Sequence, residues 1–236
     1  SSSSVVHYLY PNKDSVAQKT AIPRLALPLK VGIAFVPKAT APKKQNYYSS
    51  SRQIDSITEK EKMLIMKNVS AKFKEHKFVH SIELIPSAYL RSEGSFQNLD
   101  QIRSMYGVDV IVLLSYDQSQ FTDEGLSTLS YWTIVGAYVV KGEKNDTHTM
   151  VDAAVFHIPS RKMLFRAPGI SHIKSSATPV NLSEQTRIDR SQGVTKASEE
   201  MTLALEAQLV EFKKNLKTSP EEYEIVHKAG YKGGGS

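Results

Sequence analysis

The 236-residue chain has no cysteine, which excludes disulfides, thiolate metal sites and cysteine nucleophiles. It has no apolar run near the roughly 18 residues that a membrane-spanning helix requires. The familiar catalytic signatures are missing as well. There is no G-x-S-x-G elbow, no H-E-x-x-H, no P-loop and no G-x-G-x-x-G, so no motif calls for a cofactor. What remains is an ordinary globular mixture, 40% hydrophobic and 23% charged, too apolar for wholesale disorder. Its formal net charge is +6.

The excess charge is concentrated in one stretch. Residues 38–77 hold ten Lys or Arg against four acids, an imbalance equal to that of the whole chain. Such a local excess is a surface property that concerns partners rather than fold.

The first 28 residues, with Ser1 to Ser4, the aromatic Tyr8 and Tyr10, and Pro11, Pro23 and Pro28, read as an extended arm. Residues 29–36 alternate Leu29, Val31, Ile33 and Phe35 on one face, a strand. Ser56 and Glu59 form a capping-box pattern for a first helix ending near Lys77, with Ile65, Val69 and Phe73 as its buried stripe. Residues 79–85 read as a strand. Residues 99–106 read as a short helix with Asn98 as cap, Leu99, Ile102 and Met105 inward, and Gly107 at its end. The apolar run 108–115 fits a strand covered on both faces.

Strands at 129–140 and 150–158 flank a turn-rich segment as a hairpin, and 163–166 returns after a turn at 159–162. Residues 170–182 suit either an extension of that strand or a polar loop. A long helix over 192–217 shows Val194, Ala197, Met201, Leu205, Gln208, Phe212 and Leu216 at helical spacing. The expected fold is α+β, one mixed sheet of five or six strands with a long carboxyl-terminal helix packed on it. Residues 29–217 form the single domain, followed by a flexible tail over 218–236.

Few residues suggest chemistry. His76 and His80 are four apart, a spacing that could hold a metal on one helix, but the helix is expected to end between them. They read as ordinary boundary histidines. Asp152 in an apolar strand is either a buried acid or, more simply, a residue on a solvated face. A hydrolase assembled from dispersed Ser, His and Asp, such as Asp152 with His148 or His157, stands as the alternative to a binding protein. Lys60, Lys67 and Lys74 stack at heptad spacing opposite the buried stripe. With Lys38, Lys43, Lys44, Tyr47 and Tyr48 they could bind a polyanion, and a solvated helix face is the plainer reading. No base-reading module appears, which disfavours nucleic acid against anionic lipid or cell-envelope polymer.

The ends carry a resemblance. The opening SSSSVVHYLYP and the closing YKGGGS resemble the rhombotarget lipoproteins, bacterial envelope proteins whose glycine-rich carboxyl signal is processed by a rhomboid-type protease, rhombosortase. The matching glycines are Gly233, Gly234 and Gly235; both ends also suit linker or boundary sequence. Residues 29–217 resemble, in architecture, the curli-secretion lipoprotein and the lipoprotein activators of penicillin-binding proteins, whose polar turn between the last strands corresponds loosely to 159–162. The short polar loops at 117–128 and 141–147 argue against a curli-type pore. The resemblance implies a lipid-anchored, non-enzymatic envelope module, partnered by an envelope protein or an anionic envelope polymer or lipid surface. This chain would be its soluble portion, and the protease would act on its precursor.

Overall fold

The computed structural model describes residues 4–11, 21–37, 57–121, 146–175, 182–219 and 221–228. The elements are α1 (Val5–Leu9), β1 (Arg24–Leu27), β2 (Leu29–Phe35), α2 (Glu59–Lys74), β3 (Val79–Leu84), α3 (Ser95–Tyr106), β4 (Val110–Phe121), β5 (Asp146–His157), β6 (Lys162–Lys174), α4 (Leu182–Thr218) and β7 (Glu224–His227). The fold is α+β. Its main sheet is mixed, in the order β3-β2-β4-β5-β6; β3, β2 and β4 run parallel, and β4, β5 and β6 antiparallel. Parallel neighbours need crossovers, and α2 and α3 supply them.

The sheet is covered on both faces, and β4 shows why its run is so apolar. Val110, Val112 and Leu114 point to a core shared with Ile65, Val69 and Phe73 of α2 and with Ala197, Met201 and Leu205 of α4. Ile111 and Leu113 point to a second core with Tyr8 and Leu9 of α1 and Leu99 and Ile102 of α3. Val112 and Leu113 are fully buried on opposite sides. Each such side chain contributes about 1.5–3 kcal/mol through burial. On α4 the inward position is Leu209 rather than Gln208, which is exposed. A pure three-and-four count drifts off the contact face over so long a helix.

Glycine sets how closely α4 lies on the sheet. A Cβ at Gly169 of β6 would overlap the Ala197 carbonyl oxygen and the Met201 amide nitrogen. A Cβ at Gly193 of α4 would overlap the Thr149 hydroxyl of β5. At Gly169 the strand meets helix backbone, and at Gly193 the helix backbone meets a strand side chain.

Several boundaries differ from the sequence reading. Val5–Leu9 is helical rather than extended, because the Ser4 side chain accepts from the His7 amide and Tyr8 and Leu9 gain a core to bury in. Arg24–Leu27, read as arm, pairs in parallel with Glu224–His227, read as flexible tail; Leu25, Leu27 and Tyr223 anchor that ribbon on the first core. The cap of α2 is Thr58 with Glu61, two residues beyond the expected pair. The helix ends at Lys74. Helix α3 begins at Ser95, so Asn98 is inside it. There its amide accepts from the Tyr8 hydroxyl (2.9 Å) and the Arg91 amide (2.8 Å) and donates to the Tyr89 carbonyl (3.0 Å). Met105 is exposed. Gly107 ends α3 in the left-handed region at φ 65°, as its position implies. Helix α4 begins ten residues earlier than expected, and β6 continues to Lys174. The strand expected at 129–140 lies outside the described residues; within them, β5 pairs with β4.

Candidate functional site

The lysines of α2 divide into two sets. Lys62 pairs with Glu59 (2.6 Å), and Lys72 pairs with Glu75 (3.4 Å) and with Glu206 of α4 (3.1 Å). Lys60, Lys67 and Lys74 are exposed, on the side opposite Ile65, Val69 and Phe73, and meet no acid among the described residues. Heptad spacing puts successive members about 10.5 Å apart along the helix. Leu64, 59% exposed, lies between Lys60 and Lys67 on the same face. Lys38, Lys43, Lys44, Tyr47 and Tyr48 lie outside the described residues, as do Gly233, Gly234 and Gly235.

The histidine and acid candidates are occupied. His76 is half-buried and tilts against Phe78 (5.1 Å between ring centres); burial holds its pKa below the usual value, while His80 is exposed. No group of three His, Asp or Glu suited to a metal occurs among the described residues. Asp152 is not on a solvated face. It is 3% exposed, and both its carboxylate oxygens accept from Arg166 Nε at 2.8 Å. Burial raises its pKa and the guanidinium offsets part of the rise. The face is dry because β5 lies inside the sheet, between β4 and β6, and its alternate side chains point into one layer or the other.

Asp152 does not meet His157, which strand alternation turns to the opposite face. His157 Nδ1 accepts from the Ser160 hydroxyl (2.8 Å) and, at 3.4 Å, from the Ser160 amide, so the pair closes the β5–β6 turn. The ring also faces the Arg24 backbone, and burial lowers its pKa. His148 shares Asp152's face but stacks on His172 of β6, ring centres 4.1 Å apart.

The sequence reading missed a cleft of mixed polar and apolar lining where α2 begins, β4 turns polar and α4 starts. Its volume is about 290 Å³. From β4 it is lined by Tyr116 and Gln118, and from α4 by Arg187, Arg190, Ser191 and Val194. Ile57, Thr58 and Glu61 close the third side. Gln118, 4% exposed, uses its whole amide. Its oxygen accepts from the Tyr116 hydroxyl (2.6 Å) and Arg190 Nε (3.1 Å); its nitrogen donates to Thr149 Oγ1 (2.7 Å) and the Arg190 carbonyl (3.3 Å). Burial pushes the Tyr116 hydroxyl well above its usual pKa, against the pull of Arg190. In the structure the strand stays buried past Leu114 through Ser115, Tyr116, Asp117 and Gln118, although in the sequence these polar residues read as the end of the apolar run. Polar residues continuing an interior strand mark a built polar layer.

No helix among the described residues is long and apolar enough to cross a membrane. No protein-family model matches the chain, and no curated protein does. Among solved structures it is similar to the PelC dodecamer of Paraburkholderia phytofirmans, at 8% identity over 81% of this chain and 93% of that one, with a TM-score of 0.37. It is also similar to the hypothetical protein CT253 of Chlamydia trachomatis, at 9% identity over 80% and 98% of the two chains, TM-score 0.35. A homolog of the neuraminyllactose-binding hemagglutinin from Helicobacter pylori matches at 12% identity over 92% and 98%, TM-score 0.32. Likeness at this level carries neither family membership nor function to the chain.

Proposed function

We propose that this chain is the folded part of a bacterial cell-envelope lipoprotein, a non-enzymatic binding or assembly module of the rhombotarget kind. In this reading a lipid at the amino end holds it to the envelope, and Gly233, Gly234 and Gly235 open a carboxyl signal cut by a rhombosortase-type protease. The observation that supports a binding role is the division of the α2 lysines. Lys62 and Lys72 are neutralised by neighbouring acids, whereas Lys60, Lys67 and Lys74 form an exposed column that makes no ion pair among the described residues. An anionic envelope polymer, a lipid headgroup layer or an acidic face of an envelope protein would complement that column.

The hydrolase alternative draws less support, because the side chains it needs are committed elsewhere. Asp152 gives both oxygens to Arg166, and His157 and Ser160 hold a turn. The test is to feed cells that express the proposed precursor an alkyne-tagged fatty acid, fractionate them, and pass the purified domain over vesicles of phosphatidylglycerol. Acylated protein in the envelope fraction and retention on the vesicles at low salt are expected. Unacylated protein in the cytosolic fraction would overturn the lipoprotein reading, and loss of retention at low salt would overturn the role of the column.

A further inference from the structure

We propose that the cleft between α2, β4 and α4 binds a small monocarboxylate bearing an apolar group, gripped by Arg187 and Arg190. This site is separate from the lysine column.

The floor of the cleft is built for orientation. Tyr116 and Gln118 are each 4% exposed, and burying such groups is costly unless every polar atom is paired. Here the pairing is complete for Gln118, and one of its partners is Arg190 Nε. That bond, with the contact of the guanidinium to the Tyr116 hydroxyl, fixes the plane of the Arg190 guanidinium beside the cleft. Less ordering is then needed when an anion arrives. Arg187 sits one turn earlier on α4, about 60° around the helix. It lines the same space and has no acid partner among the described residues.

Charge and size narrow the ligand. Two arginines and Glu61 leave the lining one positive charge in excess. Glu61 is fixed by accepting from the Thr58 amide (2.8 Å) and hydroxyl (2.7 Å), so it stays as a repulsive neighbour to any dianion. A monoanion fits this balance better than phosphate, and the guanidinium fork matches a planar carboxylate. Ile57 and Val194, both buried, supply an apolar wall for the rest of the molecule. At about 290 Å³ the cleft lies at the small end of ligand sites.

The test is an amide-resolved NMR titration of the purified chain with N-acetyl-leucine, its neutral amide and inorganic phosphate. Saturable shifts at Gln118, Arg190 and Val194 are expected with the acid and none with the amide. Arg187→Gln, which disturbs no contact of the floor, should weaken the acid by about tenfold, the loss expected for a hydrogen bond to a charged group. Gly193→Ala, whose methyl would displace Thr149 from Gln118, should weaken it independently. Reversal of Lys60, Lys67 and Lys74 should leave it unchanged. Equal binding of acid and amide, absence of saturation, or unaltered affinity in Arg187→Gln would overturn the site. Tighter binding of phosphate would overturn the carboxylate assignment.

Discussion

Arg166 Nε stands 2.8 Å from both carboxylate oxygens of Asp152, one strand away and diagonal to it in register. Asp152 is almost wholly buried, whereas the arginine side chain keeps about a third of its surface in water (34% against 4%). The guanidinium therefore brings solvent-reachable charge to an acid that has none. Burial raises the acid's pKa and the arginine limits that rise.

Arg166→Met removes the limit. It should cost about 3 kcal/mol, the low end for stranding a buried charge, because the lost partner is partly solvated. The sign of its pH dependence follows from the raised folded-state pKa: the folded state holds the proton longer than the unfolded one. Stability therefore falls as pH rises from the ordinary value of 3.8 through the folded-state value. Urea unfolding across the acid range should show a steeper fall in Arg166→Met than in the parent. Adding Asp152→Asn should flatten it and restore part of the loss. A variant with unchanged stability would mean that the pair is not formed.

His157 carries the opposite dependence. Its folded-state pKa is depressed by burial, so the unfolded state takes the proton first. Its contribution is complete above the ordinary value of 6.5 and is lost as pH falls through that value. His76, depressed for the same reason, acts in the same direction. The stability of the parent should decline below neutrality, and His157→Gln should be less stable at pH 8 yet decline less. Parallel pH profiles for parent and variant, corrected with His76→Gln, would contradict the neutral ring between Ser160 and Arg24.

The core was legible because its signals are local. The run through Ile111, Val112 and Leu113, and the stripe Ile65, Val69, Phe73, each follow from one element's own periodicity, and both are buried as expected. Asp152 was not legible in that way. Its burial depends on the layers to either side of β5, and its neutralisation on an arginine fourteen residues away. The β1–β7 ribbon joins segments about 200 residues apart, and neither four-residue strand has a pattern strong enough to be read alone. The cleft depends on three elements meeting. Only the continued burial of Tyr116 and Gln118 records it, and polar residues after an apolar run look like a strand's end.

Two glycines separate backbone conformation from backbone approach. Gly107 has φ 65° with open space around it, so Gly107→Ala should cost about 1 kcal/mol from conformation alone. Gly169 meets the backbone of α4 itself, which cannot rotate away as a side chain can. Gly169→Ala should cost about 3 kcal/mol by overpacking. Thermal unfolding of the two variants gives the order; equal losses would mean that α4 sits farther from β6.

The most direct measurement of the proposed binding role is retention on phosphatidylglycerol vesicles as a function of salt. Two charge reversals are compared: Lys60, Lys67 and Lys74 to Glu, and Lys213, Lys214 and Lys217 to Glu. Both triplets lower net charge equally, and both are exposed, so neither should alter folding by more than about 1 kcal/mol per residue. The α2 triplet should abolish most of the retention and flatten its dependence on salt, while the α4 triplet keeps most of both. Equal losses from the two triplets, or no retention of the parent at low salt, would contradict the account and leave the column a solvated helix face.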